Sequence, residues 1–281
     1  MLPNDLQTHL RSVFRVASND TIVHVHRAAL EGWLTCNFTH VYADSFRDTQ
    51  FLNFSRKTAT LAECLEESSY LPPFRLLQTC VDKLQTLCKN SSLHIIKTIR
   101  TPAPMARSLS KHLKDLKVIH LVRDPRSVVW SRAMLSLCDK SIPGLFKCAT
   151  YYCKKALENR DVLLSELPDS HLTVRYEDIA SKPVPSVKRM YDFIGLTLTN
   201  DIAKFAHQVT LGGNRSECAM CRIRWQMSNT NNRSDTRLNA WSNILQIEKI
   251  RAMEEPCLEF MEKFGYARAA NASAANGTYF F

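Results

Sequence analysis

Two polar side chains, eight residues apart, are the clearest candidates for chemistry in this 281-residue chain. Arg123 directly follows a short apolar run, and Ser131 lies about two helical turns further on. A guanidinium at the end of a strand can form charge-assisted hydrogen bonds with an anion, which a hydroxyl on the next helix can share. We therefore predict an anion site at Arg123 and Ser131. The alternative interpretation is an ordinary strand–helix unit with solvated arginines.

The residues around this pair predict a strand, a tight turn and a helix. Residues 118–122 are apolar or favour β structure, which is typical of a buried strand. Asp124 suits the N-cap of the following helix, and Pro125 suits its first position because no N–H is needed there. This arrangement would place Arg123 at the carboxyl edge of a sheet, where α/β folds bind ligands.

A second pair of basic residues follows another apolar run. Residues 93–99 predict a strand that carries Lys97 and ends beside Arg100. With a helix predicted over 105–116, this strand and the one at 118–122 would form a right-handed βαβ unit. Basic groups would then meet at one edge of a parallel sheet. The alternative for Lys97 is a strand-end lysine that faces water.

Further elements follow from periodicity and turn residues. Residues 171–176 predict a third strand, and Gly195 and Gly265 are expected to terminate two helices. Residues 21–26 could form an additional strand. The remaining predictions are a turn at Pro143-Gly144 and helices at 61–67, 76–87, 146–167, 184–194 and 244–264.

The charge of the chain favours anionic partners. The formal net charge is +10 and the isoelectric point is about 9.2, which suits nucleic acid, an acidic glycan or a nucleotide phosphate. A nucleic-acid binder would interleave basic and aromatic residues along a stripe. Here the basic residues cluster at predicted strand ends, so we expect no nucleic-acid partner. No apolar run reaches the ~20 residues of a membrane-spanning helix.

Glycosylation sites and cysteines indicate a lumenal compartment. Eight Asn-X-Ser/Thr sequons occur among fifteen asparagines, and such sequons are used only in the secretory lumen. Ten cysteines fit disulfides formed in an oxidising compartment. Zinc is the rival interpretation at Cys218-Ala-Met-Cys221, but that pair lacks a second pair or nearby histidines, so no metal site is predicted.

The sequence predicts one domain over residues 1–267, which contains a cysteine-rich insertion at residues 36–92. A disordered tail is predicted at residues 268–281.

Two stretches resemble sulfotransferases, which use the donor 3′-phosphoadenosine 5′-phosphosulfate (PAPS). In that family an Arg at a strand end and a Ser eight residues later hold the donor's 3′-phosphate, and they match Arg123 and Ser131. Residues 174–183 and 191–196 are similar to carbohydrate sulfotransferases, which share an RYEDLA-type turn and a Y-x-F-x-G-L helix end. The resemblance, which spans about residues 27–267, implies a three-layer α/β, P-loop-like fold with a partial parallel sheet.

The resemblance also implies roles for individual residues. Lys97 would lie near the sulfuryl group, and Tyr176 would contact the donor adenine. The Arg-rich loop that contains Arg233 and Arg237 would close over donor and acceptor. The alternatives are a core tyrosine and a solvated basic loop. Ile99 stands where cytosolic members have a catalytic histidine, so no general base is assigned.

The implied activity is transfer of a sulfuryl group to a sugar hydroxyl, the 6-hydroxyl of N-acetylglucosamine, galactose or N-acetylgalactosamine, in glycoprotein or proteoglycan glycans. The family resemblance implies the Golgi lumen, no metal, and a full-length form with a type II membrane anchor. The family's Gly/Ser-rich loop, which cradles the 5′-phosphosulfate, has no counterpart among the seven glycines. We expect the chain to start after that loop and to be nearly inactive. The alternative function is a catalytically inactive lumenal protein that binds nucleotide or glycan; a P-loop kinase would need the same loop.

Overall fold

The structure is a computed structural model that describes residues 19–41, 56–67, 73–99, 101–211 and 238–269. The chain divides into two compact units, Met1–Thr101 and Pro102–Phe281. Each unit is described by itself below. None of the helices in the described ranges combines the length and the apolar character that crossing a bilayer requires.

The described residues of the first unit are mainly helical. It contains α1 (Asn19–Thr35), a 3-10 turn (Phe38–His40), α2 (Arg56–Glu67) and α3 (Pro73–Lys89). Leu61 and Leu84 are buried in its core, and two disulfides, Cys36–Cys88 and Cys64–Cys80, join its elements. The helices predicted at 61–67 and 76–87 are confirmed, and the disulfides fall inside the predicted cysteine-rich segment.

The strand considered at residues 21–26 is wrong, because these residues lie within α1. The residues that follow them, Arg-Ala-Ala-Leu-Glu at 27–31, are strong helix formers. An ion pair of 3.2 Å between Arg27 and Glu31, one helical turn apart, further supports the helix. The helix therefore extends back through the short β-favouring run.

The strand predicted at residues 93–99 is also wrong, since this segment is neither helix nor strand. Three of its four large apolar side chains are exposed: Leu93 by 42%, Ile95 by 77% and Ile99 by 87%. A strand forms only where a neighbour completes its hydrogen-bonded ladder, and in the described ranges only the strands at 118–122 and 171–175 pair. The predicted βαβ unit between 93–99 and 118–122 is therefore wrong as well.

The second unit contains a small parallel sheet. Strand β1 (Val118–Val122) pairs with β2 (His171–Arg175) in a register that runs from Val118 opposite His171 to Val122 opposite Arg175. The connection between them contains α5 (Pro125–Met134) and α6 (Ile142–Glu166). The predicted α/β class with a partial parallel sheet is confirmed. Preceding the sheet, α4 (Ala103–Ser110) is shorter than the helix predicted over 105–116.

The remaining helices of this unit follow β2. The expected helix terminations at Gly195 and Gly265 are confirmed, since both glycines have left-handed backbone angles, with φ of +74° and +70°. The single helix predicted over 244–264 is divided, because Pro256 cannot donate a helical hydrogen bond. These elements are α7 (Tyr176–Ser181), α8 (Pro183–Phe193), α9 (Asn200–Leu211), a 3-10 turn (Ala240–Asn243), α10 (Ile247–Glu254), a second 3-10 turn (Glu255–Cys257) and α11 (Leu258–Phe264).

Helix α6 lies at the centre of the second unit's core. Its buried residues Leu145 and Ala149 pack with Val122 of β1 and Phe260 of α11. The Cys153–Cys257 disulfide joins α6 to the 3-10 turn before α11, and Cys138–Cys148 joins the start of α6 to the preceding loop. The prediction that cysteines are paired is thus confirmed for eight of the ten; Cys218 and Cys221 lie outside the described residues.

The turn predicted at Pro143-Gly144 instead forms the first turn of α6. The Ser141 hydroxyl accepts a hydrogen bond from the Gly144 backbone N–H at 3.2 Å and so caps the helix. Pro143 is tolerated because the first helical N–H groups have no partner within the helix. The sequence predicts a turn at these two residues, but in the structure they lie in the first turn of a helix.

Candidate anion-binding site at the end of strand β1

The turn between β1 and α5 follows from two neighbouring residues. The Asp124 carboxylate accepts a hydrogen bond from the Arg126 backbone N–H at 2.8 Å, which caps the helix, and Pro125 occupies the first helical position. The predicted strand, cap and helix are therefore confirmed. As a result, Arg123 stands at the carboxyl end of β1, immediately before a helix N-terminus.

The Arg123 side chain is half-buried and held by an aromatic ring. Its guanidinium carbon lies 4.4 Å from the centroid of the Tyr176 ring, a cation–π contact. The Arg123 Nε is buried and has no hydrogen-bond partner in the described part of the chain. A buried N–H without an acceptor is costly. The geometry thus presents an oriented cation with an unused donor.

The main chain of this turn is fixed by Tyr152 and Glu177. The Tyr152 hydroxyl donates to the Arg123 carbonyl oxygen at 3.2 Å, and burial raises the pKa of Tyr152 to about 12. One carboxylate oxygen of Glu177 accepts from the Asp124 N–H at 3.0 Å. The other accepts from the Tyr266 hydroxyl at 2.8 Å. Burial and the Glu177 charge raise the pKa of Tyr266, so both phenols stay protonated as donors.

Arg126 carries a buried charge cluster directly behind the turn. Its guanidinium lies 2.6 Å from Asp124 and 2.5 Å from Glu254, and the three residues are at most 4% exposed. It also lies 4.2 Å from the centroid of the Trp241 ring. Burial acts to lower the pKa of Arg126, but hydrogen bonds and charge interactions with Asp124 and Glu254 outweigh it and raise that pKa. The cluster joins the turn to α10.

The structure brings only part of the predicted site together. Tyr176, the first residue of α7, contacts Arg123, and Ser131 lies on α5 with an exposed side chain. Lys97 is exposed and belongs to the first unit, outside any helix or strand. Arg233 and Arg237 lie outside the described residues.

Sequence reasoning missed the residues that fix this turn. Glu177 and Arg126 adjoin recognised residues, so their proximity to the site could have been inferred. Glu254 and Tyr266 lie far along the chain, and no spacing rule connects them to Asp124 or Glu177.

Comparisons with known proteins identify a family whose model covers this turn. A model of the sulfotransferase family matches residues 37–201 of the chain, which include β1, the turn and the Arg123–Tyr176 contact. The matched segment is more than half of the chain.

Individual relatives have related names. Carbohydrate sulfotransferase 2 of Mus musculus is 29% identical over 240 residues, covering 70% of this chain and 43% of the relative. Carbohydrate sulfotransferase 6 of Homo sapiens is 26% identical over 201 residues, covering 64% and 49%. The chain thus spans about half the length of these relatives. Among solved structures, the sulfotransferase domain from the curacin biosynthetic pathway is 16% identical with a TM-score of 0.47, covering 86% of this chain and 95% of that domain.

Proposed function

Because this chain belongs to the sulfotransferase family, we propose that it serves the transfer of a sulfuryl group from PAPS to a sugar hydroxyl. The acceptor would be the 6-hydroxyl of N-acetylglucosamine, galactose or N-acetylgalactosamine in a glycoprotein or proteoglycan glycan of the Golgi lumen. The names of the similar carbohydrate sulfotransferases support a carbohydrate acceptor.

The observation that carries the proposal is the placement of the Arg123 guanidinium on the Tyr176 ring at the carboxyl end of β1, with an Nε that has no hydrogen-bond partner among the described residues. In the proposed complex this guanidinium binds the donor's 3′-phosphate, and the Ser131 hydroxyl donates to the same phosphate. Charge-assisted hydrogen bonds of this kind contribute about 1.5–3 kcal/mol each. Arg123 covers one face of the Tyr176 ring, so the donor adenine would contact the ring's edge or its other face.

The proposed transfer needs no covalent enzyme intermediate. The acceptor hydroxyl attacks sulfur in line, the bond from sulfur to the bridging phosphate oxygen breaks, and 3′,5′-adenosine bisphosphate leaves. We assign stabilisation of charge on the leaving oxygen to Lys97, and closure over donor and acceptor to Arg233 and Arg237.

The donor assignment can be tested by comparing two nucleotides by calorimetry. Wild-type protein should bind 3′,5′-adenosine bisphosphate more tightly than 5′-AMP, which lacks the 3′-phosphate. Arg123→Gln should weaken binding of the bisphosphate by about 10- to 150-fold and leave 5′-AMP binding nearly unchanged. Arg107→Gln is the matched control, because Arg107 forms an exposed ion pair with Glu166. Equal losses for both nucleotides would contradict the 3′-phosphate role.

A second candidate function is nucleotide or glycan binding without catalysis. It would use the 3′-phosphate contacts proposed for Arg123 and Ser131 without a cradle for a 5′-phosphosulfate. Removing even one preorganised oxyanion donor typically costs about 10²–10³ in rate. Sulfate transfer from PAPS to N-acetylglucosamine- and galactose-terminated glycans distinguishes the two: turnover supports the enzyme, and nucleotide binding without turnover supports the binding protein.

A further inference from the structure

A histidine lies against one disulfide of the first unit. Cys36, directly after α1, is bonded to Cys88 in the last turn of α3. The Nε2 atom of His94 lies 3.4 Å from the Cys36 sulfur. None of the assigned functional roles uses this side chain.

Both ring nitrogens of His94 face backbone carbonyl oxygens. Nδ1 lies 2.8 Å from the Leu34 oxygen, and Nε2 lies 2.9 Å from the Cys88 oxygen. A carbonyl oxygen can only accept a hydrogen bond. A ring nitrogen that carries a hydrogen can therefore donate to the carbonyl oxygen it faces. When Nε2 carries the hydrogen, its N–H also lies beside the Cys36 sulfur.

The two sulfur-bearing residues differ in exposure. Cys36 is only 1% exposed, whereas Cys88 is partly exposed. An external thiolate must approach a sulfur from solvent, so it reaches Cys88 more readily than Cys36. The departing sulfur is then that of Cys36, and a thiolate that accepts a hydrogen bond from His94 is stabilised and is a better leaving group.

We propose that Cys36–Cys88 is an exchangeable disulfide that accepts a thiol at Cys88. The thiolate of a small thiol or of a thiol–disulfide oxidoreductase attacks the Cys88 sulfur and forms a mixed disulfide there. The electron pair of the Cys36–Cys88 bond moves to Cys36, which leaves as a thiolate hydrogen-bonded to His94. A second thiolate then attacks the mixed disulfide, so that the incoming thiol is oxidised to its disulfide and Cys88 is released in reduced form.

A second disulfide of the first unit provides an internal control. Cys64–Cys80 belongs to the same unit, with its residues 5% and 0% exposed, and neither sulfur contacts a histidine within the described residues. A change confined to Cys36–Cys88 therefore separates an effect of His94 from a general loosening of the unit.

The test is limited reduction of the full chain with glutathione. Samples are quenched with iodoacetamide and analysed by peptide mass spectrometry. EDTA is present because the side-chain sulfur and nitrogen atoms of Cys36, Cys88 and His94 lie within 4.8 Å of one another. After reduction of the disulfide these atoms could bind a metal. We expect the glutathione adduct on Cys88, the alkyl group on Cys36, and reduction of Cys36–Cys88 before Cys64–Cys80.

Two variants examine the role of His94. His94→Phe has no hydrogen-bond donor, whereas His94→Gln keeps one and is the matched control. His94→Phe should slow opening of Cys36–Cys88 on the order of tenfold, His94→Gln should slow it less, and the rate at Cys64–Cys80 should be unchanged in both. The proposal is overturned by an adduct on Cys36, by an unaltered rate in His94→Phe, or by Cys36–Cys88 opening no faster than Cys64–Cys80.

Discussion

Replacing Arg126 with methionine should strongly destabilise the second unit. The change leaves the carboxylates of Asp124 and Glu254 buried without their shared cation, at 3% and 1% exposure. Breaking a buried ion pair by removing one partner typically costs about 3–5 kcal/mol. Methionine can still pack against the Trp241 ring, so the loss would arise mainly from charge rather than from a cavity. The equilibrium constant for opening should rise by about 10²–10⁴.

Hydrogen exchange measured by mass spectrometry gives this free energy locally. Peptides covering α5 and α10 should lose protection by that factor in Arg126→Met. The matched control is Lys188→Met, which removes an exposed ion pair with Asp192 whose side chains are 62% and 56% accessible. That variant should change stability by no more than about 0.5 kcal/mol.

A triple variant separates charge from shape. Combining Asp124→Asn, Arg126→Met and Glu254→Gln removes all three charges, and the asparagine side chain introduced by the first substitution retains an oxygen that can cap α5. Most of the lost protection should return. If Arg126→Met lies within about 1 kcal/mol of wild type, or if the triple variant is no more stable than the single one, the cluster does not hold the turn by paired charge.

Three further predictions concern other sites. Burial, with a smaller contribution from His171, lowers the pKa of His120 to about 4. Below pH 6.5 the unfolded state therefore binds more protons than the folded state. The free energy of unfolding should be highest above pH 6.5 and should fall by about 3 kcal/mol towards pH 4. Urea titrations of wild type and His120→Phe should show this slope only in wild type. Gly265→Ala, at φ of +70° and with an added Cβ only 3.3 Å from Arg175, should cost about 1–2 kcal/mol in the same titrations. If wild type transfers sulfate, Lys97→Met should lower kcat more than it weakens binding of 3′,5′-adenosine bisphosphate, and an unchanged kcat would remove Lys97 from the mechanism.

Local chemistry made the centre of the candidate site predictable. Asp124 and Pro125 determine the start of α5 through interactions within a few residues, so reading them in order placed Arg123 correctly at the strand end. Gly195 and Gly265 were likewise identified as helix ends because only glycine adopts a positive φ at low cost.

Non-local requirements explain what sequence reasoning missed. Residues 93–99 have the composition of a strand, but strand formation depends on a partner that composition does not reveal. The Arg126–Glu254 ion pair joins positions 128 residues apart, and no periodicity encodes such a contact. The number of cysteines predicted that disulfides exist. The pairing of Cys36 with Cys88, however, depends on how α1 and α3 pack.

The Cys153–Cys257 disulfide gives the second unit a covalent ring. The bond joins positions 104 residues apart, so β2, α7 to α10 and residues 212–237 all lie within a closed loop of chain. Such a closure can contribute about 4–5 kcal/mol by restricting the unfolded chain. It also changes the outcome of proteolysis, because one cut between the two cysteines opens the ring without releasing a fragment. A preparation nicked in this way would run as an intact chain on a denaturing gel until a reductant separates its two pieces.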